Sequence, residues 1–128
     1  MKNMKELYLP LIAQWYEMIE CLIKPEEYRD ISGYWIQRLM VLEDGTKIPK
    51  FLAELYSKHI ETLKVLLSEG KVKFRKFKFV RFSYGYTKRT MTFELNGITI
   101  GKGREEWGAP SKDVFVIKLG ERVKQCLI

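Results

Sequence analysis

The chain is predicted to be an α+β protein, with helices in its first half and a small barrel or curled sheet in its second. Three observations carry this. Apolar residues recur at helical spacing up to about residue 69, and strand-type runs then follow up to residue 119, alternating over 71–84. Helices followed by a run of strands specify α+β. The 128 residues, 46% hydrophobic and 13% aromatic, suffice for one ordinary core. No linker, repeat or low-complexity tract divides residues 1–128, so they read as one domain.

Leu7-Tyr8-Leu9 reads as a short first strand, and Pro10 suits the first turn of a helix. Leu11, Ile12, Trp15, Ile19, Leu22 and Ile23 then follow at helical spacing, giving a helix over 10–22. Lys24-Pro25 breaks it, and Glu26-Glu27-Tyr28-Arg29 reads as a turn or short strand. Ser32 is placed to cap a helix carrying Trp35, Ile36, Leu39, Met40 and Leu42. After a turn at Glu43-Asp44-Gly45, one longer helix is predicted from about 48 to 69, opened near Pro49 and stopped by Gly70. Its apolar stripe is Ile48, Leu52, Leu55, His59, Leu63 and Leu66.

Strands are predicted over 71–84, with a bulge near Arg75-Lys76 where the apolar phase shifts, and over 88–95. Asn96-Gly97 signals a type I′ hairpin into Ile98-Thr99-Ile100. Residues 101–112 read as a loop, and 113–119 as a buried strand.

The formal net charge of +7 is local. Residues 71–89 hold eight basic side chains (Lys71, Lys73, Arg75, Lys76, Lys78, Arg81, Lys88, Arg89) and no acid. The rest of the chain carries 15 basic and 16 acidic residues. Such a patch points to a polyanion, with a solvated sheet edge as the plainer alternative. The same stretch approaches the aromatic strand signature of RNA-recognition motifs, with Phe77 and Phe79 as stacking platforms and Arg75 and Arg81 on phosphates. Packing of those Phe rings into a barrel core is the preferred alternative. The expected nucleic-acid contacts are Lys73, Arg75, Lys76, Lys78, Arg81, Lys88 and Arg89, with Trp107 as a stacking ring or a packed one.

Other chemistries find little support. No apolar run reaches the roughly 20 residues that span a bilayer, and no signal-type block follows Met1, so a cytoplasmic protein without membrane contact is expected. Cys21 and Cys126, without a CxxC pair, suggest buried free thiols. No spacing of His, Cys or carboxylates calls for a metal, and no cofactor is implied. Gly101-Lys102-Gly103-Arg104 lacks the third Gly and the helix of a dinucleotide loop, though it leaves room for a single-phosphate nest. His59, on an apolar stripe, reads as a packed or edge residue.

The sharpest local signal is Lys24-Pro25-Glu26-Glu27-Tyr28-Arg29. In an extended segment Glu27 and Arg29 point to one side, and Lys24 enters from the end of the preceding helix. Such a trio binds an anion, or serves as an acid/base pair if burial lowers the Lys; a surface ion-pair cluster is the bland alternative.

The same residues carry a resemblance. Trp15-Tyr16-Glu17-Met18-Ile19, Lys24 to Asp30 and Tyr34-Trp35-Ile36-Gln37-Arg38-Leu39 are similar to the start of an ASCH domain, a family that resembles the RNA-binding PUA domain. Phe82 to Tyr86, Asn96 to Gly101, Glu106 to Ala109 and Phe115 to Gly120 resemble its later strands. The likeness covers most of the chain except about 43–70, which reads as a helical insertion. It implies a PUA-like small β-barrel flanked by helices, with a cleft lined by a Gly-x-Lys-x-x-Glu/Thr-x-Arg signature that Lys24, Glu27 and Arg29 match. Leu22 stands at the Gly position, so a differently made turn is expected. One enzymatic branch strips acyl groups from acylated cytidine, with the Lys as base, a Thr where this chain has Glu27, and a distant Glu. Here Glu94, Glu105 and Glu106 are the candidates for that acid. Another relative is a ribonuclease.

The resemblance and the charge together imply binding of RNA or a modified nucleotide in a cleft bordered by Lys24, Glu27, Arg29 and the basic strand 71–89. The alternative is a small hydrolase in which those three are catalytic. A third reading makes the 46–69 segment a protein-interaction face.

Overall fold

Buried and half-buried residues alternate through Glu6–Leu11, which is strand β1. In the computed structural model, which describes residues 6–124, helix α1 (Ala13–Glu20), strand β2 (Glu26–Arg29), helix α2 (Gly33–Leu39) and strand β3 (Met40–Leu42) follow. Helices α3 (Lys50–Ser57) and α4 (Ile60–Ser68) lead into β4 (Val72–Phe74), β5 (Phe79–Tyr84), β6 (Thr90–Lys102), a 3₁₀ turn (Glu105–Trp107) and β7 (Asp113–Arg122).

Five strands form one curled half-barrel sheet in the order β1-β5-β6-β7-β2, and β3 pairs with β4 in a separate ribbon. Among the described strands only β1 and β5 run parallel. Leu7, Leu9, Val80, Phe82, Phe93, Phe115 and Ile117 point from the sheet into a core closed by Tyr16, Ile19, Ile36, Leu39 and Leu63 from the helices. The α+β class and the barrel-like sheet therefore match expectation.

Several boundaries do not. Pro10 lies inside β1, opposite Ser83, and not in a helix. The carbonyl of Leu11 accepts from Gly85 N at 2.7 Å, so by alternation Pro10 faces away from β5. On the outer edge a missing N–H breaks no ladder bond. Helix α1 consequently spans Ala13–Glu20, shorter than 10–22. Ser32 does cap α2, its hydroxyl accepting from Trp35 N at 3.3 Å, but Met40 and Leu42 belong to β3.

The single long helix is two. His59 takes a non-helical φ/ψ of −136°/66° at the start of α4, and it is exposed with Leu55, so the six-residue stripe does not share one face. Gly70 ends α4 at φ +77°, as its residue type requires. The expected bulge at Arg75-Lys76 is a full break that sends β4 and β5 into different sheets.

Asn96-Gly97 makes no hairpin. Strand β6 runs straight through it, with register shifts against β7 between Phe93 and Gly97. The irregularity lets one strand serve β5 with its first half and β7 with its second. The loop after it is also shorter than 101–112, since β6 continues to Lys102. Cys21 is exposed, contrary to a buried thiol, because it caps the solvent end of α1; Cys126 lies outside the described residues. No described helix is long and apolar enough to cross a membrane.

Candidate functional site

The site begins with the way α1 ends. Leu22 adopts φ +63°, the left-handed form usually given to Gly. Leu22 N donates to Ile19 O at 3.0 Å and Ile23 N to Met18 O at 2.9 Å, the paired bonds of a Schellman turn. The turn is thus made in the glycine manner by a leucine, where a different turn was expected. It reverses the chain so that Lys24, two residues on, enters the interior.

Lys24 is almost fully buried, at 1% exposure. Its Nζ donates to Glu26 O at 2.8 Å and Trp107 O at 2.8 Å, and lies 3.0 Å from Glu27 Oε1. Those three acceptors match the three N–H bonds of an ammonium. The rings of Tyr28 and Trp15 lie 4.5 and 5.4 Å from the same nitrogen, within cation–π range. Burial pushes the Lys24 ammonium below the ordinary lysine range, and the Glu27 carboxylate opposes that shift.

Period-two alternation in β2 turns Glu27 and Arg29 to one side and Tyr28 to the other. Arg29 Nη1 donates to Glu27 Oε2 and to Tyr28 O, the latter at 2.7 Å. Its Nη2 reaches Pro10 O at 3.1 Å. Glu27 therefore sits between two cations, one per oxygen. Because β1 and β2 are the two edges of the sheet, Arg29 also links them across the opening of the half-barrel.

A cleft of about 300 Å³ lies at this opening, lined by Pro10, Leu11, Ile12, Trp15, Glu27, Tyr28, Arg29, Trp107 and Gly108. Residues 103–109 strap its far wall. A Cβ on Gly103 would come within 2.4 Å of the Tyr28 ring, and one on Gly108 within 2.7 Å of Trp15. Glycine at both positions is what allows the strap to lie flat on these rings. Arg104 N donates to the Tyr28 hydroxyl at 3.0 Å, and that hydroxyl donates to Glu26 at 2.6 Å. Burial, with help from Glu26, holds the Tyr28 phenol well above its ordinary value. The Arg104 N–H of the expected phosphate nest at 101–104 is thereby taken, and the Arg104 guanidinium is on Glu106. Trp107 is half-buried, packed with Tyr28, Ala109, Val114 and Val116 while still facing the cleft.

The basic stretch is dispersed. Lys73 is on β4, Arg75 donates to Gln37 O at 3.0 Å, and Lys76 and Lys78 are exposed in the connection to β5. Arg81 pairs with Glu6 at 3.1 Å and covers Tyr8, while Arg89 pairs with Glu20 at 2.9 Å between the rings of Tyr16 and Tyr84. Lys88 is exposed in the turn whose Gly85 holds Leu11. None of the eight lines the cleft. Phe77 packs on the core, and Phe79 is half-buried outside it.

Glu94, Glu105 and Glu106 are exposed, with Glu106 held by Arg104. Trp15 and Trp35, read from sequence as helix-core residues, turn out to face the site; their closeness in sequence to the Lys-Glu-Arg motif was the available signal. Comparison of the chain with protein-family models, curated proteins and solved structures finds no match.

Proposed function

We propose that this chain is an ASCH-like domain that binds RNA or a modified nucleotide in the cleft at the opening of the half-barrel. The observation that carries this is the convergence of Lys24, Glu27 and Arg29 beside a cleft walled by Trp15 and Trp107. Aromatic walls accept the face of a base, and a guanidinium accepts phosphate. The left-handed turn at Leu22 adds support, because the resemblance puts Gly there.

The three acceptors around Lys24 favour binding over catalysis. They suit an ammonium, whereas a general base needs a lone pair aimed at substrate. The burial that lowers the Lys24 amine is the one feature favouring a hydrolase, acting on an acylated cytidine or on RNA. Titration of the tryptophan fluorescence with modified nucleosides and short RNAs tests the first reading. Saturable quenching that Arg29→Gln weakens supports it, and no quenching by any of them at low salt overturns it. Release of free acid from acylated cytidine, lost in Lys24→Ala with the fold retained, would instead establish the hydrolase.

A further inference from the structure

Arg29 is flanked by two cavities. Beside the cleft lies a second hollow of about 290 Å³, reaching Trp35, Asp30, Pro110 and Val114, and the two share Tyr28, Arg29 and Gly108 as lining. Each is at the lower end of the roughly 300–1,000 Å³ of ligand pockets, so each suits one flat group. The walls of both are aromatic and apolar in part.

The cation between them is incompletely used. A guanidinium has five N–H donors. Three of those of Arg29 go to Glu27, Tyr28 O and Pro10 O, leaving Nε–H and one Nη2–H without an acceptor among the described residues. Two donors on one guanidinium match two oxygens of a phosphate. Beyond the second hollow the same chemistry continues outward. The Arg38 guanidinium lies 5.5 Å from Trp35 and 5.9 Å from Tyr34, a ring 60% exposed.

We propose that the ligand is a single-stranded nucleic-acid segment of at least two nucleotides, with its linking phosphate on Arg29 and one base in each cavity. This rests on the nucleotide-binding reading and adds the length and register of the ligand. It also moves the track from the 71–89 stretch to Arg29, Trp35, Tyr34 and Arg38. A lone phosphate would satisfy Arg29 but fill neither cavity, and a single nucleotide would fill one.

The test is a calorimetric titration of the protein with a nucleoside 5′-monophosphate and with a dinucleoside monophosphate. The dinucleoside should bind about tenfold more tightly, as one further stacked base implies. Pro110→Trp fills the second hollow from an exposed position and should bring dinucleoside affinity down to that of the mononucleotide. Trp35→Ala should act in the same direction. Equal affinities in the parent protein, or a Pro110→Trp variant that weakens both ligands alike, overturns the two-cavity proposal while leaving the nucleotide reading intact. Failure of both ligands to bind overturns both together.

Discussion

Glu27 holds Lys24 by one carboxylate oxygen, 3.0 Å from Nζ, and gives its other oxygen to Arg29. Glu27 and Lys24 are both buried, so neither charge has water to fall back on. Removing one member of a buried pair strands the other, a loss of about 3–5 kcal/mol. Glu27→Ala is therefore expected to lower stability by that amount in denaturant unfolding. Glu27→Gln, which keeps an oxygen for Lys24, should lose less. Equal and small losses would show that the pair is already solvated.

Leu22 offers the opposite experiment. A non-glycine residue in the left-handed region is disfavoured by roughly 1–2 kcal/mol, and its side chain here is 75% exposed, so no burial is forfeited. Leu22→Gly should raise stability by about 0.5–1 kcal/mol after the added freedom of the unfolded chain is subtracted. A thermal melt shifted upward by a few degrees is the expected result; a downward shift would mean that Leu22 makes contacts that matter.

Gly103 is a packing prediction. An added methyl would meet both Tyr28 and the Ala109 Cβ, the latter at 2.6 Å. Forced overpacking typically costs about 1–3 kcal/mol. Gly103→Ala should destabilise within that range and lift the strap carrying Trp107, visible as a red-shifted tryptophan emission. An unchanged spectrum and midpoint would show that the strap yields freely.

The acid side of the stability curve should report on Asp113. Lys64 donates to it at 2.6 Å and holds its carboxyl below the ordinary 3.8. Between the depressed folded value and 3.8 the unfolded chain binds the proton and the folded chain does not. Stability from this contact is thus complete above 3.8 and is lost as pH falls through the folded value. Midpoints measured over that interval should fall less steeply in Asp113→Asn than in the parent chain. Identical slopes would remove the contact from the ledger.

The basic stretch can be divided by salt. If RNA lies in the cleft, Lys76→Gln with Lys78→Gln should leave the slope of log affinity against log salt unchanged, since both are remote from it. Arg38→Gln, on the track beyond Trp35, should reduce the slope by about one. The reverse pattern would place the nucleic acid on the connection before β5.

The Lys-Glu-Arg trio was legible because its geometry is local. A helix end followed by four extended residues dictates which side chains face together, whatever the rest of the chain does. The curled sheet was legible as a class for a similar reason, through the alternation in 79–84 and the continuous apolar run in 113–119. Asn96-Gly97 misled because the same dipeptide serves a turn or a bulge, and pairing with both β5 and β7 decided between them. The dispersal of 71–89 was equally invisible, since a run of like charges says nothing about a strand break within it. Trp15 and Trp35 sit on helices at apolar positions, and only the placement of β2 reveals that they border a cleft.

The bond from Arg29 to Pro10 O also bears on the solubility of the molecule. The outward carbonyls of β1 belong to alternate residues, and Arg38 reaches the one on Tyr8 at 3.4 Å. Pro10 has no N–H to offer a newcomer. A neighbouring molecule seeking to extend the sheet at this edge finds two acceptors taken and one donor absent, which blunts aggregation. Substitutions at Arg29 should therefore be screened for precipitation as well as for affinity, because they uncover a strand that the folded chain keeps from recruiting others.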